Sequence, residues 1–492
     1  MNQATDEYDV IVLGAGPVGE NLADRTRAAG LSTVIVEHEL VGGECSYWAC
    51  IPSKALLRPV LARAEARHVP GLRQAVDGPL VAADVLAHRD EEVGDWKDDG
   101  QISWLESVGI DLVRGHGRLV GPRRVAVTPA VGPDGADGAD ASGGEERILT
   151  ARHAVAVCTG TGAALPDLPG IAEVRPWTSR EATSSGTVPK RLIIIGGGVV
   201  ASEMATAWNG LGSRVTVLVR GSGLLGRIEP FAGELVAETL KEAGVEIRTG
   251  TSVKGLARPG GADGPVTVTL ESGERLEADE VLFATGRTPH TADLGLETVG
   301  LEPGGWLTVD ETCRVRDVTD GWLYAAGDVN RKALLTHQGK YQARIAGAAI
   351  GARARGAGRL DTGRWGEYAT TADEAAVPQV VFTDPEVAAV GLTAEQAEAE
   401  GRNIRVVDYD MGHVEGAVLY ADGYRGRARM VVDLDRGHPI GVTFVGPGVS
   451  ELLHSATVAV AGEVPIERLW HAVPSFPTIS EVWLRLLETY RG

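Results

Sequence analysis

The strongest constraint on the fold is a pattern that occurs twice in the chain. Residues 8–13 form a short run rich in β-branched side chains that leads into the turn Gly14-Ala-Gly16-Pro-Val-Gly19. Residues 191–195 lead in the same way into Gly196-Gly-Gly198-Val-Val-Ala201. After each turn comes an alanine-rich stretch typical of a helix, and then a second strand-like run. This order is that of a βαβ unit, so the sequence predicts an α/β fold containing two such units.

The first glycine turn has the spacing of a phosphate-binding turn. A strand, a G-x-G-x-x-G turn and a helix together present free backbone N–H groups and the positive end of the helix dipole to a pyrophosphate. Gly14, Gly16 and Gly19 have this spacing, and Glu37 follows the next strand-like run, residues 32–36. A carboxylate there can accept hydrogen bonds from an adenosine ribose. We therefore predict a dinucleotide site, the alternative being packing glycines and a glutamate that is only a surface charge.

The second turn, with Gly196 and Gly198, is followed by a cation where the first unit has an acid. Its next strand-like run, residues 214–219, leads into Arg220. A guanidinium at this point suits a 2′-phosphate, and the carboxylate that selects an unphosphorylated ribose is missing. We therefore expect NADPH in preference to NADH, with Arg227 as a second candidate phosphate ligand. NADH stays open as an alternative, because one loop arginine can equally be solvated.

Composition and charge exclude several classes of protein. The hydrophobic share of 43% and the charged share of 23% are ordinary globular usage, which excludes a disordered, collagen-like or coiled-coil chain. The 67 acidic residues outnumber the 47 basic ones, and the resulting charge of −20 repels nucleic acid and anionic membrane surfaces. The first residues are polar, and no run of about 18 apolar residues occurs. We expect a cytoplasmic protein with neither nucleic acid nor membrane as a partner.

Two cysteines lie close together in the segment Cys45-Ser-Tyr-Trp-Ala-Cys50-Ile-Pro-Ser-Lys54. Four cysteines in 492 residues are too few for a disulfide scaffold, so a close pair indicates catalysis or metal binding. Five residues along an ideal helix turn the side chain by about 500°, so a disulfide here would need a distorted turn. The proline at position 52 places both sulfurs near a helix start, where the dipole favours thiolate. The alternatives are a zinc site, which lacks two further nearby ligands, and two unrelated core thiols.

The last part of the chain has a different pattern. Past residue 369, alternating strand-like runs precede helices, which indicates a separate α+β domain. The expected strands are residues 379–383, 403–408, 427–433 and 440–445, and the expected helices lie near 451–461 and 479–489. Earlier in the chain, residues 131–146 are rich in Gly, Asp and Ala between strand-like runs at 124–128 and 147–150. We interpret them as a flexible hairpin tip and not as a domain linker.

Further motifs in chain order are Ala284-Thr-Gly286-Arg287, Ala326-Gly327-Asp328 and Phe382-Thr-Asp-Pro-Glu386. With these motifs the chain resembles, over nearly its whole length, the pyridine nucleotide-disulfide oxidoreductases, the group of lipoamide dehydrogenase, glutathione reductase and mercuric reductase. The resemblance implies two Rossmann-like dinucleotide-binding domains, FAD in the first, a nicotinamide nucleotide in the second, and a C-terminal domain that forms a homodimer. The domains implied are residues 1–170 for FAD and the redox disulfide, 171–290 for NAD(P), 291–369 as a central FAD-binding segment, and 370–492 for dimerisation.

The resemblance also implies roles for individual residues. Cys50 would lie against the flavin as the charge-transfer thiol, and Cys45 would be the interchange thiol that meets the substrate. Asp328 would hydrogen-bond the ribityl chain of FAD, and Lys54 and Glu203 would form an ion pair beside the flavin and the nicotinamide. Further expected cofactor-binding residues are Gly160, Gly286 and His337. The alternatives are a surface lysine, a helix-face glutamate and, for the histidine, a core or helix-cap position.

The C-terminal motif departs from the family pattern. Disulfide reductases of the family carry His-Pro-Thr-x-x-Glu, where the partner subunit's histidine is the acid/base for the interchange thiol. Here Phe476 replaces that histidine, while Glu481, which would orient it, remains. Nearby His471 could substitute in a rearranged chain, but we expect packing or solvent exposure for it. Mercuric reductase also lacks the histidine but uses an extra C-terminal cysteine pair, whereas residues 487–492 here contain no cysteine. We expect Cys158 and Cys313 to be structural thiols.

These observations predict an enzyme that passes electrons from NADPH through FAD and the Cys45–Cys50 disulfide to a small disulfide substrate. One alternative is a reductase of a quinone, metal ion, dye or oxygen, for which no acid/base histidine is obligatory. A second alternative is a non-catalytic, FAD-bound redox sensor. No resident metal is expected. The bulky Tyr47 and Trp48 between the cysteines either shape an unusual pocket or pack against the flavin-binding domain.

Overall fold

The computed structural model describes residues 6–129, 146–261 and 264–492. The chain divides into two compact units. The first comprises Met1–Ile51, Val93–Gly162 and Arg287–Glu374, and the second comprises Pro52–Glu92, Ala163–Gly286 and Ala375–Gly492. The expected hairpin tip, apart from its last residue, lies outside the described residues. The strands on either side of it pair antiparallel, as a hairpin requires.

The strands are β1 (Glu7–Leu13), β2 (Thr33–Glu37), β3 (Asp111–Arg114), β4 (His116–Leu119), β5 (Arg124–Thr128), β6 (Arg147–Val157), β7 (Thr161–Ala163), β8 (Arg191–Ile195), β9 (Arg214–Leu218), β10 (Glu246–Arg248), β11 (Val253–Ala257), β12 (Val266–Leu270), β13 (Arg275–Ala278), β14 (Glu280–Phe283), β15 (Arg287–Pro289), β16 (Leu323–Ala325), β17 (Pro378–Val381), β18 (Val387–Gly391), β19 (Ile404–Asp410), β20 (Arg427–Asp433) and β21 (His438–Val445).

The helices are α1 (Pro17–Ala28), α2 (Gly43–Tyr47), α3 (Cys50–Arg67), α4 (Ala82–Glu92), α5 (Asp99–Val108), α6 (Ile171–Val174), α7 (Ser179–Ser184), α8 (Val199–Gly210), α9 (Pro230–Glu242), α10 (Thr336–Ala354), α11 (Ala372–Ala375), α12 (Ala394–Ala399), α13 (Glu415–Tyr420), α14 (Val449–Ala461), α15 (Ile466–Leu469) and α16 (Val482–Arg491). Short 3-10 turns occur at Gly94–Trp96, Asp328–Asn330 and Ile479–Glu481.

The first unit is built on a seven-stranded sheet with the strand order β3-β2-β1-β6-β5-β4, to which β16 adds by pairing with β6. The central strand β1 pairs in parallel with both β2 and β6, with Val12 opposite Ile35 and Ala156. All residues of β2 are buried. Strands covered on both faces are apolar along their whole length, which is why residues 8–13 and 32–36 were recognisable as strands. Glu37 is the last residue of β2.

The second unit contains a four-stranded parallel sheet with the order β10-β9-β8-β14. Helix α8 follows β8, and the two connect through the second glycine turn. The observed β8 spans the expected residues 191–195, and β9 ends one residue before the expected 219. A separate three-stranded antiparallel sheet, β11-β12-β13, belongs to the same unit. The second βαβ unit predicted from the sequence is therefore confirmed.

The C-terminal residues of the second unit form an antiparallel sheet with the order β17-β18-β21-β20-β19. Its core includes residues of α14 and α16. Strand β20 has the expected bounds, whereas β18, which lies between β17 and β21, was not expected from the sequence. Its sequence, Val-Ala-Ala-Val-Gly, contains two alanines and a glycine, which are poor strand formers. An α/β fold with two Rossmann-like units and an α+β C-terminal domain is confirmed, while the bounds of the four expected segments stay predictions.

Candidate functional site

In the first unit, the structure brings Cys45 and Cys50 together at a break between two helices. Cys45 lies in α2, which ends at Tyr47, and Cys50 is the first residue of α3. The hydroxyl oxygen of Thr336 lies 3.1 Å from the Cys45 sulfur and 3.3 Å from the Cys50 sulfur. Both cysteines are free thiols and partly exposed. The expected distorted turn is the interruption at Trp48, whose φ is −136°.

The surroundings of the Cys45 sulfur disfavour its thiolate form. The hydrogen bond with Cys50 and burial raise the pKa of the Cys45 thiol, whereas the Thr336 hydroxyl acts in the opposite direction. This direction runs against the thiolate expected at Cys45, while the expectation for Cys50 stays a prediction. A thiol that shares a hydrogen bond with a neighbouring sulfur loses that bond's stabilisation if it must hold a negative charge beside the other sulfur.

Thr336 is the residue that sequence reasoning missed. It is the first residue of α10, and its contacts reach across 286 and 291 positions of the chain. In the segment Leu-Thr-His-Gln-Gly, the residue expected to bind a cofactor is His337, which is exposed. No sequence signal marks Thr336, because it is the first helical residue and not the N-cap, which is Leu335.

The first glycine turn has two positions that only glycine fits and one that is open. A Cβ on Gly14, where φ is +98°, would lie 2.6 Å from the carbonyl oxygen of Cys158, and a Cβ on Gly19 would lie 1.9 Å from the carbonyl oxygen of Gly14. A Cβ on Gly16 would meet no heavy atom within 4 Å. Gly16 is also the N-cap of α1 and no side chain caps it. Open space before an uncapped helix N-terminus fits the pyrophosphate of a dinucleotide such as FAD.

Glu37 is buried and charged. Its carboxylate accepts hydrogen bonds from the N–H groups of Ala15 and Glu39, each at 2.7 Å. Burial opposes ionisation, but the bonds from His38, Ala15 and Glu39 outweigh it and hold the pKa of Glu37 below its usual range. The alternative of a surface charge is therefore wrong. Because Ala15 belongs to the glycine turn, the carboxylate also fixes the end of β2 to that turn.

Asp328 lies in a polar cluster of the same unit. Its carboxylate accepts a hydrogen bond of 2.7 Å from the Thr161 hydroxyl and lies 3.8 Å from the Arg287 guanidinium, which itself donates to Thr161 at 2.6 Å. Burial raises the pKa of Asp328, although Thr161 and Arg287 act against the increase. Gly160, with φ of +67° and open space at its Cβ position, precedes Thr161. This set of donors and acceptors suits the hydroxyls of a ribityl chain, so the residues of the first unit fit FAD.

In the second unit, Lys54 and Glu203 form an ion pair with 2.8 Å between Nζ and Oε2. The other carboxylate oxygen of Glu203 accepts the N–H of Phe382 at 3.1 Å, and the lysine ammonium lies 4.8 Å from the centre of the Phe382 ring. Glu203 is 4% exposed. Glu203 is therefore not a solvent-exposed glutamate on a helix face, whereas the Lys54 side chain is 38% exposed. The role of the pair beside the cofactors stays a prediction.

The second glycine turn repeats the open position of the first. A Cβ on Gly196, where φ is +135°, would lie 2.3 Å from the carbonyl oxygen of Ala284, whereas one on Gly198 would meet nothing within 4 Å. Gly286 has φ of +146°. Arg220 and Arg227 are exposed. Within the part of the chain that the structure describes, neither guanidinium makes a hydrogen bond or an ion pair, so both are available to a ligand.

The C-terminal motif contains no histidine–glutamate pair, because its first residue is Phe476. Phe476 is 72% exposed and His471 is also exposed. Glu481 is buried and forms an ion pair of 2.5 Å with Arg485, four residues later. Its other carboxylate oxygen is buried and has no hydrogen-bond partner among residues 6–129, 146–261 and 264–492. The i, i+4 spacing of acid and base was the signal for Arg485 that sequence reasoning missed.

The remaining cysteines are both buried. Burial raises the pKa of the Cys158 thiol to about 12 and raises that of Cys313 as well, which suits packed thiols. Over the described ranges, no helix is long and apolar enough to cross a membrane. The same residues contain no group of three or more His, Cys, Asp or Glu side chains that could hold a metal ion.

Comparison with known proteins gives matches over nearly the whole chain. Residues 8–349 match the model of the pyridine nucleotide-disulphide oxidoreductases, and residues 377–486 match the dimerisation domain of the same group. A dihydrolipoyl dehydrogenase from Pseudomonas aeruginosa is 30% identical over 96% of this chain and 95% of its own length. A mercuric reductase from Staphylococcus aureus is 28% identical over 96% of this chain and 81% of its own length.

A solved structure agrees on the fold. The copper(II) complex of the HOCl-induced flavoprotein disulfide reductase RclA from Escherichia coli aligns with a TM-score of 0.80 at 22% identity, covering 98% of this chain and 99% of that one. With both family models matched, the chain belongs to the pyridine nucleotide-disulphide oxidoreductases, a family of FAD-dependent enzymes that use a pyridine nucleotide.

Proposed function

We propose that this enzyme passes electrons from NADPH through FAD and the Cys45–Cys50 pair to a small disulfide. When bound, NADPH supplies a hydride and FAD relays its two electrons. The observation that carries the proposal is the contact of both cysteine sulfurs with the single hydroxyl of Thr336. Two thiols that share one hydrogen-bonding partner are placed to form and break a mutual disulfide.

The cysteines perform the second half of the reaction. The Cys45 sulfur attacks one sulfur of the substrate disulfide, and the first substrate thiol leaves with a proton. The Cys50 sulfur then attacks Cys45, which restores the Cys45–Cys50 disulfide and releases the second substrate thiol. Two electrons and two protons thus pass to the substrate. Because the Thr336 hydroxyl contacts both sulfurs, it can carry a proton from one to the other.

The cofactor assignments rest on the two glycine turns. Gly14, Gly16, Gly19, Glu37 and Asp328 would hold FAD, with Gly160 beside the ribityl chain and His337 near the flavin. Gly196, Gly198 and Gly286 would hold the nicotinamide nucleotide. The ion pair would hold the side chains of Lys54 and Glu203 in place beside the flavin and nicotinamide rings. A protein with these assignments is yellow when purified and contains one FAD per subunit.

The preference for NADPH over NADH rests on Arg220. This guanidinium is exposed, and it forms no ion pair with any of the residues that the structure describes. A free guanidinium can take both oxygens of a 2′-phosphate, which NADH lacks. The preference is a proposal about the second unit alone, so FAD binding does not depend on it.

A homodimer formed by the C-terminal domain is part of the proposal. Besides the match to the dimerisation domain, this region exposes several large apolar side chains, whose exposed fractions are 50% for Val418, 67% for Leu419, 54% for Val458 and 86% for Val473. Apolar side chains in such numbers are typical of a surface that a second copy covers. The cytoplasmic location expected from the sequence stays a prediction.

A second candidate acceptor is favoured by the C-terminal motif. Phe476 has no acid/base group, and Glu481 is already paired with Arg485. A positioned acid/base typically contributes about 10²–10⁴ in rate, so ordinary disulfides should be reduced slowly. A quinone or a metal ion needs no such group. The mercuric reductase relative and the copper(II) complex of RclA make metal ions worth testing as acceptors.

The test of the proposal separates the two half-reactions. Anaerobic mixing with NADPH should reduce the flavin rapidly and convert the Cys45–Cys50 disulfide into two free thiols. In Cys50→Ser the flavin should still be reduced, but no disulfide is opened and no new thiols appear. NADPH oxidation is then compared with lipoamide, glutathione-type disulfides, quinones and metal ions as acceptors. Release of substrate thiol identifies the disulfide reductase, and turnover only with quinones or metals identifies the second candidate. Failure of NADPH to reduce the flavin would leave the redox sensor.

The missing histidine gives a further comparison of variants. Phe476→His should increase disulfide turnover if Glu481 can orient the new ring, and combining it with Arg485→Ala should increase turnover further, because the carboxylate is released. His471→Ala serves as the control. Fast lipoamide reduction by the wild type that collapses in His471→Ala would show that the acid/base group has moved to that residue.

A further inference from the structure

The backbone between the two cysteines is held from outside by residues 94–98. The indole N–H of Trp96 donates to the carbonyl oxygen of Tyr47 at 3.2 Å. Tyr47 is the last residue of α2, so its carbonyl is one that a short helix leaves without an intrahelical partner. The Tyr47 hydroxyl lies 3.2 Å from the carbonyl oxygen of Lys97 and 3.1 Å from that of Val41.

The segment is itself anchored. The Asp98 carboxylate accepts the N–H of Val41 at 2.8 Å and a hydrogen bond from Arg114, which also donates to the carbonyl oxygen of Glu39. The Asp98 carbonyl accepts the N–H of Ile102 at 2.9 Å, in the first turn of α5. Residues 94–98 are thus attached both to α5 and to the chain that leads into α2.

The same segment contains left-handed backbone at non-glycine positions. Asp95 has φ of +52° and Trp96 has φ of +57°. Such residues are strained, and they persist only where surrounding contacts outweigh the strain, often at functional sites. One contact that Trp96 makes here is the hydrogen bond to the carbonyl oxygen of Tyr47, between the cysteines.

The end of α2 decides how the two sulfurs lie. Along an uninterrupted helix the Cys45 and Cys50 side chains would point about 140° apart. Because α2 ends at Tyr47 and α3 starts afresh at Cys50, both sulfurs reach the Thr336 hydroxyl. A contact that fixes the Tyr47 carbonyl therefore fixes the geometry of the dithiol.

We propose that residues 94–98 form a brace that holds the Cys45–Cys50 segment in the geometry of disulfide formation, with Trp96 as its positioning residue. The inference rests on the proposed function, in which the pair cycles. Oxidation joins the sulfurs and releases two electrons and two protons, and reduction returns them. A braced dithiol loses little backbone freedom when the disulfide closes. Without the brace, closure costs more entropy, so the disulfide becomes easier to reduce.

The test measures the thiol–disulfide equilibrium of the pair in the FAD-loaded protein. Wild type and Trp96→Phe, which keeps an aromatic ring but lacks the N–H, are equilibrated in dithiothreitol redox buffers. The peptide containing both cysteines is then alkylated and weighed. We expect Trp96→Phe to shift the equilibrium about tenfold toward the dithiol, equivalent to about 30 mV. Trp104→Phe, on α5 and 38% exposed, is the matched control and should leave the equilibrium unchanged.

Two further variants keep the inference falsifiable. Tyr47→Phe removes the hydroxyl that meets Lys97 and Val41, and it should shift the equilibrium in the same direction even if Trp96→Phe folds poorly. Asp95→Gly relieves left-handed backbone but keeps the Trp96 bond, so it should leave the equilibrium at the wild-type value. Wild-type equilibria in both Trp96→Phe and Tyr47→Phe, or an equal shift in Asp95→Gly, would overturn the brace. A wild type that never forms the Cys45–Cys50 disulfide would instead overturn the proposed function.

Discussion

The two glycine turns of this chain look alike in sequence but differ in what their third position does. In the first unit a Cβ on Gly19 would lie 1.9 Å from the carbonyl oxygen of Gly14, so the helix can approach its own turn only because that position is glycine. The second unit has Ala201 there, fully buried. The third glycine is therefore required for packing in the first turn only. The second turn has alanine at that position and still leaves open space at Gly198.

The charged residues near the end of the second strand of each unit, Glu37 and Arg220, differ as well. Glu37 is buried and bound to backbone N–H groups of its own turn and of Glu39. Arg220 is exposed. The acid of the first unit thus supports the structure of its turn, whereas the arginine of the second unit has no such structural contact among the described residues, and its part in nucleotide selection stays a proposal.

Each unit also has a glutamate on the helix after its turn, and the two differ in how their carboxylates are matched. Glu203 in α8 is matched by Lys54 and by the Phe382 N–H. Glu20 in α1 has a buried carboxylate oxygen with no hydrogen-bond partner within the described ranges. Burial raises the pKa of Glu20 to about 7, and Lys340 lowers it only partly. One unit has a matched buried charge, and the other has an unmatched carboxyl that is protonated in mildly acidic solution.

The largest expected effect is the difference between substitutions at Gly19 and at Ala201, the third positions of the two turns. Gly19→Ala should abolish FAD retention and lower the free energy of unfolding by about 3 kcal/mol, because the new methyl group meets backbone that cannot move away. The mirror change Ala201→Gly should cost about 1 kcal/mol, the usual penalty for glycine inside a helix. FAD content by absorbance and urea unfolding measure both. A yellow Gly19→Ala protein of wild-type stability would contradict the comparison.

The matched glutamate gives the next effect. Glu203→Ala leaves Lys54 without its partner and the Phe382 N–H without an acceptor, so the free energy of unfolding should fall by about 2–3 kcal/mol. Flavin reduction by NADPH should slow as well. Glu203→Gln, which keeps an acceptor oxygen, is the control and should lose less. If Glu203→Ala and Glu203→Gln unfold at the same urea concentration, the hydrogen bonds are not what stabilises the site.

The unmatched glutamate predicts a pH-dependent gain. The folded carboxyl of Glu20 keeps its proton up to about pH 7, while an unfolded chain loses it near 4.5. The folded state therefore binds more protons in this range, and stability falls as pH rises through it. Glu20→Gln removes this loss, so its stability relative to wild type should improve by on the order of 2 kcal/mol between pH 5 and pH 7 and stay level above.

Urea unfolding at several pH values checks this prediction. The cost of burying the amide is the same at every pH, so it drops out of the change with pH in the stability difference between Glu20→Gln and wild type. A difference between the two proteins that does not change with pH would show that Glu20 is ionised throughout, and the contrast with Glu203 would then disappear.

The smallest effect concerns nucleotide choice. Arg220→Glu should raise the half-saturating NADPH concentration for flavin reduction about tenfold, or about 1.4 kcal/mol, and reverse or flatten the order of NADPH and NADH. Arg227→Ala should have a weaker effect in the same direction. FAD content should be unchanged in both variants, since Glu37 and the first turn are untouched. Equal use of the two nucleotides by the wild type would remove the argument for Arg220.

Long-range contacts were the part of the site that sequence reasoning left out. Thr336 meets the cysteines from almost 300 positions away, and Trp96 meets Tyr47 from 49 positions away. Neither residue belongs to a motif with a fixed spacing from the cysteines. The ion pair of Lys54 and Glu203, 149 positions apart, was expected only because the chain resembles a known family.

The two βαβ units, the spacing of their glycines and the close pair of cysteines could be predicted from the amino-acid order alone, because strand burial, helix periodicity and turn conformation depend on neighbouring residues. The tertiary structure decided where α2 ends, which hydroxyl the two sulfurs share, that Glu37 is bound into its turn, and that Glu481 pairs with Arg485 while Phe476 stays exposed. These outcomes depend on which distant side chains packing brings to one place, and no local period in the sequence specifies that.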